Sequence, residues 1–177
     1  IPHALRAVAD RILVLDFGRK VLEGAPGEVM TVPRSGGSIW GLRLMTLLEV
    51  SGLNVFHGDL QAIFDLDLRV GEGEVVALVG ANGAGKTTMM RALVGLIASK
   101  QGRIRFDGAE ISAASAEDIA RAGLCMVPEG RMLFDSLTVL ENLMMGQVLR
   151  RRGYWTLERV FELFPILAER RSAMPRH

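Results

Sequence analysis

The run Gly80-Ala81-Asn82-Gly83-Ala84-Gly85-Lys86-Thr87 constrains this chain more than any other feature, because it fits G-x-x-x-x-G-K-[ST]. Upstream, VVALV is apolar on both faces, as a central strand of a parallel sheet must be. Downstream, TTMMRALVGLI continues as a helix predicted from Lys86 to about Ser99. A strand, a glycine-rich turn and a helix let successive backbone N–H groups curl inward around an anion. The helix N-terminus adds partial positive charge at the same place. In this arrangement Lys86 reaches the β- and γ-phosphates of a nucleoside triphosphate as a point charge. The Thr87 hydroxyl supplies one oxygen to Mg²⁺, which draws its other ligands from phosphate and water. Thr88 follows on the same turn and completes the expected nucleotide-binding set. An Asn-Lys-x-Asp guanine reader is absent, which argues against a GTPase. Two β-rich segments precede the loop, which argues against a small nucleotide kinase.

Composition narrows the class further. Of 177 residues, Lys and Arg contribute 21 and Asp and Glu 20, a formal charge of +1. That balance does not suit a nucleic-acid binder, so no nucleic-acid partner is expected. The longest apolar-looking stretch, residues 75–98, is interrupted by Asn82, Lys86 and Arg91, so no transmembrane segment is expected. Neither is a secretory leader, because no basic-then-apolar segment opens the sequence. The single cysteine, Cys125, has no partner for an internal disulfide and is read as packing in a short buried strand, GLCMV.

Periodicity places the remaining elements. RILVLD reads as a buried strand, Phe17-Gly18-Arg19-Lys20 as a turn, and VLEG as a second short strand, followed by a short helix at EVMT. VPRSGGSIWG is linker-like. LLEVSGLNVF and LQAIFDLDLRV alternate and are expected to pair antiparallel, and GRIRFDG is another strand. Ser115 resembles an N-cap followed by early acids. Thr138-Val139-Leu140-Glu141 is a capping-box pattern opening a helix to about Arg150. From Thr156, the apolar residues Leu157, Val160, Phe161, Phe164 and Leu167 share one helical face, which Pro165 should break. The Met pairs at 89–90 and 144–145 read as core, and Arg150-Arg151-Arg152 as a solvated run.

From about Leu47 to Ala173, the strings LLEVSGLNVFHG, VGANGAGKTTMMRALVGL, GRIRFDG and VPEGRMLFDSLTVLENLMMG together resemble the ATP-binding cassette (ABC) family. The last string is similar to the variant in ATPase subunits of branched-chain amino acid importers; urea importers and lipopolysaccharide exporters are close cousins. The resemblance implies an α/β P-loop NTPase fold of the ABC type, here incomplete. It would have an antiparallel β portion, a partly parallel core sheet and the start of a helical subdomain near residue 138. It also implies ATP and Mg²⁺ as ligands. Glu129 stands where most family members carry Gln, so the resemblance places it near Mg²⁺ or the attacking water. His57, with Phe56 beside it, stands in the slot of the ring that stacks on adenine. The implied partners are a second ABC cassette, the same or different, and transmembrane permease subunits. The implied location is cytoplasmic, peripheral on the inner face of the plasma membrane. A soluble ABC-type protein without a transport role is the reading from another class.

The segment ADRILVLDFGRKVLEGAPGEVM resembles the C-terminal end of a partner cassette of the same importers. The expected organisation is therefore 1–31 as the tail of a preceding cassette, 32–44 as linker, and 45–177 as the first part of an ABC domain. His3 stands closer to Ala9-Asp10-Arg11 than the family's catalytic histidine does and is not read as that residue. Ile12-Leu13-Val14-Leu15-Asp16 has the shape of a Walker B strand, but Phe17 occupies the position of the catalytic Glu. No LSGGQ-type signature and no Asp-Glu Walker B ending follow residue 173. ATP binding without independent turnover is the expectation. A core sheet without its later strands implies an open edge, exposed apolar surface and marginal stability.

Overall fold

In the computed structural model, residues 7–29, 45–98, 100–148 and 153–175 are described. The linker expected at 32–44, His3 and the arginine run 150–152 lie outside them. The chain divides into two compact units, residues 1–124 and 125–177.

Among the described residues, seven strands belong to the first unit: β1 (Arg11–Asp16), β2 (Arg19–Gly24), β3 (Thr46–His57), β4 (Leu60–Gly71), β5 (Val76–Val79), β6 (Lys100–Phe106) and β7 (Ala109–Glu110). Helix α1 (Pro26–Val29) follows β2, α2 (Lys86–Leu93) follows β5 and α3 (Ala116–Ala122) follows β7. The strands form two sheets, ordered β2-β1-β5 and β4-β3-β6-β7. The expected antiparallel pairing of β3 with β4 is present, and β6 joins the other edge of β3, also antiparallel.

Strict alternation along β3 and β4 is interrupted by bulges. On β3 the buried positions run Leu48, Val50, then Leu53, Val55, with Gly52 at φ +59° between them. On β4 they run Ile63, then Leu66, Leu68, with Asp65 at φ +44°. An extra residue in each strand restores the inward face after the kink. Polar side chains close the gap. Asn54 Oδ1 accepts from Asp65 N at 3.0 Å, and Asp67 Oδ1 accepts from Gly52 N at 2.8 Å.

Strand β5 runs parallel to β1, with Arg11 opposite Val76 and Val14 opposite Val79. The strand expected to be central instead stands at the edge of its sheet among the described residues, and its parallel neighbour comes from the start of the chain. Ion pairs fasten that neighbour. Arg11 contacts Glu23 at 3.2 Å and Glu74 at 3.1 Å, and its guanidinium also donates to the Arg69 carbonyl. Lys20 Nζ donates to the Asp67 carbonyl at 2.8 Å, and the Arg19 guanidinium lies 4.5 Å from the Phe64 ring centre. Leu13 and Leu15 of β1 join the same core as Val50, Leu53, Ile63, Leu66, Met89 and Ile104.

Two expectations need correction. The helix after the loop ends at Leu93, not near Ser99, because Gly95 turns left-handed at φ +75°. A Cβ there would stand 2.9 Å from Ile119 Cδ1, so the turn is packed tightly on α3. Residues 123–127, read as the buried strand GLCMV, form no strand, and Cys125 is exposed. A strand needs a paired neighbour for its backbone groups, and no described strand lies alongside this segment.

The second unit contains α4 (Val139–Met145), α5 (Leu157–Leu163) and α6 (Pro165–Glu169). Helix α4 ends at Met145, short of the expected Arg150. None of the unit's described residues is buried. Hydrogen bonds and caps carry its local structure. The Val139 and Leu140 amides donate to the Ala173 and Arg171 carbonyls, each at 2.9 Å. Pro165 opens α6 and breaks the apolar face as expected; Leu157, Val160, Phe161 and Leu167 are half-buried, and Phe164 at the break is exposed.

The capping box is formed. Glu141 N donates to Thr138 Oγ1 at 3.2 Å, and Glu141 Oε2 accepts from Thr138 N and from Thr138 Oγ1, each at 2.8 Å. The donated backbone bond, then the hydroxyl bond, hold the Glu141 carboxyl below its ordinary range. A carboxylate with a depressed folded pKa stabilises above its unfolded value and loses that contribution as pH falls through the folded one. NMR titration of Glu141 should therefore show a midpoint below that of an unstructured peptide. Thr138→Ala removes only the hydroxyl bond, so it should move that midpoint part of the way back. The same substitution should weaken the helix start by about 1 kcal/mol, read as lost helicity by circular dichroism.

Candidate nucleotide-binding site

The loop at residues 80–87 leaves β5 and enters α2, as the sequence predicts. Gly83 and Gly85 adopt φ +82° and +96°, and Gly85 caps α2 from the left-handed region. Gly80 is required by close approach: a Cβ there would stand 2.4 Å from the Leu15 carbonyl oxygen of β1. Ala84 is buried, while Ala81, Asn82 and Gly83 are exposed at the rim. Lys86 Nζ donates to the Gly80 and Ala81 carbonyls at 2.8 and 2.7 Å. The ammonium therefore lies over the loop at the positive end of α2, within one region with Thr87 and Thr88. Fixed N–H dipoles, a helix N-terminus and one ammonium make an anion site suited to phosphate.

The loop's outer side is held by β1, β2 and β4. The Gly18 amide donates to the Ala84 carbonyl at 3.0 Å, and the Gly18 carbonyl accepts from the Phe64 amide at 2.9 Å. Sequence reading treats Phe17-Gly18 only as a turn. No pattern in the chain signals that residues 18 and 84 meet, because the contact arises from β1 lying parallel to β5.

Phe56 and His57 stand at the end of β3, beside the Gly58 turn into β4; Phe56 is half-buried and His57 exposed. The hydrogen bonds that shape the phosphate loop involve neither side chain. Glu129 is exposed in the second unit, at a turn where Gly130, Arg131 and Met132 all have positive φ (+78°, +62° and +45°). Among the described residues no three His, Cys, Asp or Glu side chains cluster as a metal site. Mg²⁺ held by the Thr87 hydroxyl together with phosphate and water oxygens needs no such cluster, so the donor set fits that ion.

A glycine-shaped loop between a parallel strand and a helix is the strand–loop–helix unit of the P-loop NTPase fold. Residues 63–175 match the ABC transporter family, and the chain belongs to that family. It is 39% identical over 126 residues to the high-affinity branched-chain amino acid transport ATP-binding protein BraG of Pseudomonas aeruginosa, covering 70% of this chain and 54% of that protein. BraF of the same organism, with the same description, is 42% identical over 101 residues, 57% of this chain and 40% of that protein. The xylose import ATP-binding protein XylG of Shigella flexneri is 38% identical over 109 residues, 60% of this chain and 21% of that protein. The chain thus spans about half the length of BraG and less of the other two. Among solved structures, an ATP-binding subunit of an ABC transporter superposes with TM-score 0.62 at 31% identity, over 75% of this chain and 55% of that one. An ATP-binding cassette solved as a dimer with ADP and Pi superposes with TM-score 0.58 at 20% identity, over 72% of this chain and 61% of that one, a likeness of fold. Among the described residues no helix is long and apolar enough to cross a membrane.

Proposed function

We propose that this chain is the ATP-binding part of a branched-chain amino acid importer and binds Mg-ATP at residues 80–88. The observation that carries the nucleotide reading is the Lys86 ammonium folded over the Gly80 and Ala81 carbonyls at the N-terminus of α2. On binding, the phosphates take the place of those carbonyls as partners of Lys86, and the loop amides donate to the phosphate oxygens. Mg²⁺, when bound, would offset phosphate charge; Thr87 would supply one of its oxygens, and the family resemblance assigns Glu129 a second-ligand or water-positioning role. The left-handed Arg131 and Met132 beside Glu129 support that role, since non-glycine residues hold such backbone only at a cost of about 1 kcal/mol or more each. His57 and Phe56 are assigned to the adenine.

The solute assignment rests on BraG and BraF. The similarity to XylG favours sugar uptake as the second reading. In either case the partners are a second cassette, homo- or heterodimeric, and a transmembrane permease, with the chain on the cytoplasmic face. The proposed organisation keeps residues 1–31 as a segment of partner-cassette type, 32–44 as linker and 45–177 as the ABC portion. Copurification with a permease separates the solutes: a captured permease whose vesicles bind radiolabelled leucine supports the first reading, and one whose vesicles bind radiolabelled xylose the second.

The 177-residue chain carries neither a signature motif nor a Walker B Glu after the loop. It should therefore bind ATP with little or no turnover. A phosphate-release assay on the purified chain checks this; steady turnover that Lys86→Ala abolishes would refute it.

A further inference from the structure

We propose that the Phe17-Gly18 turn of the β1–β2 hairpin positions the phosphate loop, with Gly18 as the positioning residue. The proposal rests on the nucleotide-binding reading of residues 80–88. Gly18 lies outside residues 63–175, which match the family.

The hairpin meets the loop at three places. The Leu15 carbonyl lies against Gly80, so close that a Cβ on Gly80 would be 2.4 Å from it. The Gly18 amide donates to the Ala84 carbonyl at 3.0 Å. A Cβ on Gly85 would be 3.4 Å from Gly18 Cα. The first, fifth and sixth residues of the motif are thus registered against one turn.

The middle contact bears on anion binding. In a trans peptide the carbonyl and the following N–H point in opposite directions. Holding the Ala84 carbonyl outward on Gly18 therefore fixes the orientation of the Gly85 N–H at the entrance to α2. A phosphate loop works by presenting N–H groups that need no reorganisation when the anion arrives. The turn is itself anchored from behind: its carbonyl accepts from the Phe64 amide at 2.9 Å, and Arg19 stacks on the Phe64 ring. Gly18 has φ +74°, and a Cβ there would stand 2.1 Å from the Ala62 carbonyl oxygen. Any side chain at residue 18 must push the turn off β4 and so shift its contact with Ala84.

The test compares the parent chain with Gly18→Val and with Gly27→Ala, where a Cβ meets nothing within 4 Å. Affinities for ATP and for inorganic triphosphate are measured by calorimetry in the presence of Mg²⁺. Gly18→Val should lose about tenfold for both ligands, and by the same factor, because the perturbation acts at the phosphate end. Gly27→Ala should match the parent. A folded Gly18→Val chain with parent affinity overturns the inference while leaving the nucleotide reading intact. A parent chain that binds neither ligand overturns both. A loss confined to ATP also overturns the inference, since it would point to the base. If Gly18→Val does not fold, amide exchange on the parent chain decides. Mg-ATP should slow exchange of the Gly18 amide several-fold, and unchanged protection there refutes the role.

Discussion

Lys86→Ala should weaken ATP binding by roughly 10- to 100-fold while leaving the fold intact. The ammonium lies over the loop and donates to the Gly80 and Ala81 carbonyls. A hydrogen bond to a charged group is worth about 1.5–3 kcal/mol, and each 1.4 kcal/mol is tenfold in affinity. The loop amides and the helix N-terminus remain in the variant, so binding is reduced and not removed. Lys86→Arg should recover only part of the loss, because a planar fork does not fit where a compact ammonium does. Titration with a fluorescent ATP analogue reads both variants. Affinity within threefold of the parent for Lys86→Ala would mean that phosphate does not bind beside this lysine.

The largest expected effect on stability comes from Leu13→Ala. Leu13 is fully buried in β1, between β2 and β5, in the core shared with Leu53, Ile63 and Met89. Leu→Ala at such a site removes transfer free energy and leaves a cavity, for a loss of about 2–5 kcal/mol. The measurement is the urea midpoint followed by a probe in the first unit outside β1. If residues 7–29 were an appended tail, that midpoint would not move. The ion pairs from Arg11 to Glu23 and Glu74 point the same way, since they join β1 to β2 and to the turn before β5. An unchanged midpoint would show that the hairpin contributes nothing to the unit that holds the phosphate loop.

Much of the local structure was legible because its causes are local. Strand alternation, the Ser115 and Thr138 caps and the Pro165 break each depend on residues within a few positions, and each is present. Ser115 Oγ accepts from Asp118 N at 3.1 Å, as the pattern predicts. The phosphate loop was legible for the same reason, since its glycines, lysine and threonine are contiguous. The failures share a different cause. GLCMV has the composition of a buried strand, but composition supplies no neighbour, and Cys125 is exposed. Helix α2 ends early because of Gly95 packing on α3, a contact between residues far apart in sequence.

The sequence by itself determined that this is a P-loop chain of the ABC family, with Lys86 and Thr87 at its loop. The chemistry of that motif is contiguous, and its glycines admit the left-handed backbone that the loop requires. Only the tertiary structure decided what stands beside the loop. A parallel strand needs a crossover partner, and nothing in RILVLD or VVALV states which strands will be neighbours. The fold sets β1 against β5, and that register brings Gly18 to Ala84. The phosphate loop is thus encoded in eight consecutive residues, and its support in a turn more than sixty residues earlier.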